Sequence, residues 1–130
     1  MIALDTNVVI RFLVNDDPAQ NRRARRLIEA GDVRVAPTVL LEVEWVLRAL
    51  YGQEPRRIHE SFRRLLGLPG VLADESQRVA RALEWYRSGL DFADALHLAF
   101  AAMGDSFASF DAKLARRARK LEGAPAVVAP

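Results

Sequence analysis

The sequence predicts an α/β fold built on a parallel sheet with helices on both faces, and three observations predict it. Short apolar runs, too short to cover a helix face, alternate with amphipathic stretches of helical length along the whole chain. The links between them are tight and carry residues that start and stop helices. No repeat, low-complexity stretch or interdomain linker interrupts the pattern, so the 130 residues read as one domain, 1–130.

The elements follow in order. Ile2-Ala3-Leu4 reads as a buried first strand that ends in the polar group Asp5-Thr6-Asn7, with a short helix over Val9–Leu13. Asp17-Pro18-Ala19-Gln20 starts a helix: Asp17 caps it, Pro18 suits the first turn and Gln20 completes a capping box. Gly31 stops that helix, and Val33-Arg34-Val35-Ala36 alternates as a second strand. From Thr38 a long helix carries Val39, Leu40, Val43, Val46, Leu47 and Leu50 on one face. Gly52 and Pro55 separate it from a helix over Arg56–Leu66, and Val71-Leu72 is a weak third strand. Asp74 and Gln77 repeat the cap signature before a helix ending near Gly89. A helix over Asp91–Met103, a strand over Ser106–Phe110, a basic helix over Ala112–Leu121 and a last strand at Ala126–Val128 complete the chain. Pro125 and Pro130 flank that last run, and a loose tail is the alternative.

Composition removes several chemistries. With no cysteine, a disulfide framework, a thiolate zinc site, an iron–sulfur cluster and a thiol nucleophile are all excluded. The start lacks a basic n-region, and no run approaches the roughly 18 apolar residues a membrane span needs. A cytoplasmic protein is the expectation. The net charge is +2, but its distribution matters more. If Asp5, Glu42, Asp94 and Asp111 form one cluster, thirteen acids remain against nineteen bases. The rest of the surface then carries about +6, a field suited to a polyanion. Ordinary solubilising helix faces would give the same count.

The carboxylates give the chemistry. Sites in open α/β folds form beyond the carboxyl ends of strands, where Asp5 and Asp111 both fall. In the helix from Asp91, the residues Phe92, Leu96, Ala99, Phe100 and Met103 make a core stripe, and most other positions are apolar or small. Asp94 interrupts that surface, and a carboxylate there is costly unless paired or bound to a cation. Asp91 and Asp94 share a side of the helix, with Asp91 also placed to cap it. Glu42 and Glu44 both flank the apolar stripe of their helix, and periodicity does not choose between them.

Four segments together resemble the PIN-domain family, and specifically its VapC-type toxins of toxin–antitoxin pairs. Leu4-Asp5-Thr6-Asn7 is similar to the family's opening motif, and Leu41-Glu42-Val43-Glu44-Trp45 to its second. Phe92-Ala93-Asp94-Ala95-Leu96-His97 resembles the third and Ser109-Phe110-Asp111 the fourth. The resemblance implies a three-layer α/β/α fold with a four- or five-stranded parallel sheet. It selects Glu42 over Glu44 and makes Asp5, Glu42, Asp94 and Asp111 the catalytic, metal-binding acids. It also implies an endoribonuclease, a homodimer and a small cognate antitoxin as partner.

Oxygen-only donors favour Mg²⁺ or Mn²⁺ over zinc or copper. Such an ion would activate a water for in-line attack on RNA and leave 5′-phosphate and 3′-hydroxyl ends. Thr6, Asn7, Asp91 and Ser109 are placed as supporting groups, and Arg11 as a phosphate contact. His97 stands one turn beyond Asp94. Arginines also cluster on the second, fourth and last helices, while Trp45, Trp85 and Tyr86 are candidates for base stacking or packing. A non-catalytic nucleic-acid-binding module and a DNA-cleaving nuclease are the competing readings. An aspartyl phosphatase wants a second aspartate where Asn7 stands.

Overall fold

The computed structural model describes residues 1–101 and 104–130. The chain folds as two compact units, Met1–Ser76 and Gln77–Pro130.

The first unit begins with β1 (Ile2–Ala3), α1 (Thr6–Leu13), α2 (Pro18–Glu29) and β2 (Val33–Val35). It continues with α3 (Pro37–Ala49), α4 (Pro55–Leu66) and β3 (Val71–Ala73). The strands form one parallel sheet in the order β1-β2-β3. Local chemistry sets the boundaries. Asp17 accepts from the Gln20 backbone N–H at 3.1 Å, and Pro18 opens α2. The reciprocal half of the predicted box is not made, because Gln20 Oε1 accepts from Arg11 Nε at 2.7 Å. Asn21 is buried and donates its Nδ2 to the carbonyls of Arg11 and Phe12, at 2.8 and 3.3 Å. It thereby satisfies orphan acceptors at the end of α1.

One contact between turns fixes where β2 and β3 begin. Gly31 and Gly70 both have positive φ, and a Cβ on Gly70 would stand 2.7 Å from the Gly31 Cα. Only glycine permits that approach, which lets Val33 N–H reach the Gly70 carbonyl at 3.0 Å. The core beside the sheet is filled by Leu40, Val43 and Leu47 of α3 with Ile58, Phe62 and Leu65 of α4.

Two expectations fail here. β1 is an edge strand and not a buried one: Ile2 is 52% exposed and burial begins at Leu4. Neither is the sheet covered throughout. Val33 and Val35 are buried, while Ala3, Arg34 and Leu72, aligned across the three strands, are exposed. The cause is Arg34, whose charge makes β2 alternate like a strand with one wet face. On α3, Leu50 is 69% exposed and lies past the buried stripe.

The second unit comprises α5 (Ser76–Arg87), α6 (Phe92–Phe100), β4 (Ser106–Ala108), α7 (Ala112–Ala118) and β5 (Ala126–Val128). α5 starts at Ser76, after Glu75 has taken a positive φ of 54°, so Asp74 is not its immediate cap. β4 and β5 pair in parallel with Phe107 opposite Val127, which makes the tail a strand. Tyr86 meets Phe92 edge-on at 5.0 Å, within a core that includes Val79, Trp85 and Leu98. α6 is shorter than Asp91–Met103, and the predicted core position Met103 lies outside the described residues.

Among the described residues there are thus five strands in two sheets of three and two, and not one sheet of four or five. Strands of two or three residues carry too little pattern to declare which of them share a ladder. No described helix is long and apolar enough to cross a membrane.

Candidate active site

The candidate acids lie at the starts of α1, α6 and α7 and within α3. In the first unit, Asp5 occupies the N-cap position of α1 in extended conformation, and its side chain makes no capping hydrogen bond. Its carbonyl takes the Val8 and Val9 N–H groups instead, at 3.1 and 3.3 Å, which leaves the exposed carboxylate uncommitted. Thr6 is buried beside it. Asn7 and Arg11 line a cavity of about 340 Å³ along α1 and α2, together with Gln20, Arg23 and the apolar Val8 and Leu27.

The two glutamates of α3 have different environments. Glu44 is 3% exposed and holds Arg48, one turn on, through contacts of 2.9 and 3.4 Å. Glu42 is exposed and takes no hydrogen bond or ion pair among the described residues. Glu44 is thus buried and paired with Arg48, and Glu42 is the exposed one of the two.

In the second unit, Asp91 caps α6 and accepts from the Asp94 N–H at 3.2 Å. Asp94 is half-buried in the first turn. Loss of solvent pushes its carboxyl above the usual aspartate range, the negative charges of Asp91 and Asp111 push it further, and His97 opposes them. Asp111 caps α7, with Oδ1 accepting from both the Lys113 and Leu114 N–H groups at 3.0 Å. Its other oxygen takes no hydrogen bond among the described residues. Capping and cation binding are therefore compatible in this residue. Ser109 braces it from behind, its Oγ accepting from the Asp111 N–H at 3.0 Å.

The remaining candidates sort by surroundings. His97 stacks on Phe107 at 6.4 Å. Arg11 is engaged by Gln20 and by Asp16, the latter at 3.1 Å. A hydrogen bond from the Tyr51 hydroxyl at 2.7 Å is the main cause that holds Asp16 below its ordinary range. Arg63 and Arg64 share Glu60, and Arg25 pairs with Glu29. Trp85 and Tyr86 are buried, which removes them as base-stacking groups, whereas Trp45 is 52% exposed. In sequence Phe110 reads as the end of a strand over Ser106–Phe110. That strand stops at Ala108, and the ring is 89% exposed.

A comparison against family models matches the PIN domain over residues 2–120. The chain belongs to the PIN-domain family. PIN domains are generally nucleases, typically bind divalent metal ions, and have a three-layer α/β/α fold. Comparison with curated proteins and with solved structures returned no match.

The donor chemistry of this PIN domain fits a hard cation. Every candidate donor is a carboxylate oxygen, and burial, with the charges of Asp91 and Asp111, raises the Asp94 carboxyl. Among the described residues, no three histidines, aspartates or glutamates are grouped closely enough to hold an ion. What this structure supplies is the donor set and its electrostatics.

Proposed function

We propose that this PIN domain is an Mg²⁺- or Mn²⁺-dependent endoribonuclease, the VapC-type toxin of a toxin–antitoxin pair, acting in the cytoplasm as a single domain over residues 1–130. The observation that carries the reading is Asp94. In a chain of a nuclease family, its carboxyl is left half-buried beside two other negative charges, with His97 alone opposing them. A group so placed favours a bound cation over an empty site.

Asp5, Glu42, Asp94 and Asp111 are the carboxylates of this reading. When bound, the ion contributes Lewis acidity, activating a water as nucleophile and stabilising charge on the scissile phosphate. The chain's own groups do the rest. Asp91 fixes the first turn of α6 and with it the Asp94 backbone. Ser109 holds the backbone of Asp111, and Thr6 and Asn7 support Asp5. Arg11 and Arg23 bind backbone phosphates without reading sequence. Hydrolysis leaves 5′-phosphate and 3′-hydroxyl ends. The partners in this reading are RNA, a second copy of the chain and a small antitoxin protein.

The test incubates the protein and its Asp5→Asn variant with RNA and with DNA, in Mg²⁺, in Mn²⁺ and in chelator. The expected result is metal-dependent cutting of RNA that the variant loses. Cutting that persists unchanged in the variant refutes the site, and preferential cutting of DNA refutes the substrate.

A further inference from the structure

Phe110 is the most exposed of the large hydrophobic side chains described, at 89%, while Phe62 and Phe92 are fully buried. Its backbone is braced on both sides. Before it, the Ser109 N–H donates to the Val128 carbonyl at 3.0 Å. After it, the Asp111 N–H donates to Ser109 Oγ, and Asp111 anchors the start of α7. The ring is thus held out to solvent from a fixed span.

Its neighbours indicate its use. The residue after it is a candidate metal-binding acid, whose charge reaches Asp94. The helix that follows exposes Lys113 and Arg116, and Arg119 at its end is exposed as well. A solvated aromatic face next to surface cations is the composition that holds unpaired nucleic acid: bases stack on rings while cations follow the backbone. In sequence Phe110 is flanked by Ser109, Asp111, Ala112 and Lys113, and Val128, whose carbonyl takes the Ser109 N–H, is 43% exposed.

We propose that Phe110 is the stacking platform for the unpaired base next to the phosphate that is cut, which makes it a determinant of single-stranded over duplex RNA. The inference rests on the nuclease reading above. Because the ring is 89% exposed, its removal costs the fold little.

The experiment measures binding of a short, unpaired, fluorescein-labelled oligoribonucleotide in Mg²⁺, with Asp5→Asn as the parent so that nothing is cut. Phe110→Ala weakens binding about 5- to 100-fold, the range of one base–aromatic stack. Phe110→Trp restores binding, Phe110→Leu does not, and the melting temperature stays constant in all three. A fully abasic strand of the same length binds parent and Phe110→Ala alike. Equal affinity of parent and Phe110→Ala for the natural strand overturns the proposal and leaves the nuclease reading standing. So does full rescue by Phe110→Leu. Unchanged RNA affinity with lost self-association assigns the ring to a protein contact instead. A parent that binds no oligoribonucleotide overturns both the platform and the nuclease reading, an outcome visible before any Phe110 variant is made.

Discussion

Asp111 is assigned two roles, and its variants separate them. As an N-cap it accepts two backbone N–H groups through one oxygen. Truncation to alanine orphans both donors at the start of a seven-residue helix. Loss of such a cap costs about 1 kcal/mol, within a range of roughly 0.5–2. For a chain of this size that corresponds to a fall in melting temperature of about 3–6 °C. Asparagine keeps an equivalent oxygen and caps as well as aspartate, so Asp111→Asn loses only the charge–dipole part, about 0.3–1 kcal/mol. Catalysis responds differently. Both variants remove the negative charge, and both lose more cleavage than the roughly 10–100-fold typical of residues that only support a metal ligand. Thermal unfolding in chelator and single-turnover RNA cleavage in Mg²⁺ read the two roles independently. An Asp111→Asn protein that cuts at the parental rate reduces Asp111 to a cap. An Asp111→Ala protein as stable as the parent shows that the cap does not hold α7.

Three further outcomes follow from the same structure. Asp94 has a raised carboxyl, so its contribution to stability is complete below the unfolded value near 4 and is lost as pH rises through the folded one. Asp94→Asn therefore melts above the parent at pH 7 in chelator, and the gap closes on acidification to pH 3.5. Gly70→Ala forces a Cβ to within 2.7 Å of the Gly31 backbone at a φ of +75° and costs about 2–4 kcal/mol, whereas Gly52→Ala meets nothing within 4 Å and costs about 1; urea unfolding gives both values. Asn21→Leu leaves two α1 carbonyls without their buried donor and destabilises by about 1–3 kcal/mol in the same assay.

The sequence carried most of the helices because their punctuation is local. Asp17-Pro18, Gly31 and Asp111 state a start or a stop within a few residues. The sheets were less legible. Which strands pair depends on backbone hydrogen bonds between distant residues, and Ile2-Ala3 looks the same in sequence at an edge or in a centre. Arg34 was the available sign of an exposed face.

Site residues divide in the same way. Asp91 as a cap and Asp94 as an intruder on an apolar helix were legible from spacing. Spacing did not separate Glu42 from Glu44, and only the family resemblance chose Glu42; the structure adds that Arg48, four residues after Glu44, pairs with it, while Val46 stands four after Glu42. The contacts of Arg11 with Gln20, and of Asp16 with Tyr51, join separate elements, and no local pattern encodes them. Phe110 was hidden because an apolar residue beside a strand reads as part of that strand.

Mn²⁺ titration tests whether the carboxylates of this PIN domain hold a divalent cation, without any assumption about the RNA. Calorimetry or the loss of the free-ion spin-resonance signal measures Mn²⁺ bound by the parent, by Asp94→Asn and by Glu44→Gln. Saturable binding by the parent that Asp94→Asn loses and Glu44→Gln retains is the predicted result. Equal binding by the parent and Asp94→Asn would contradict the account.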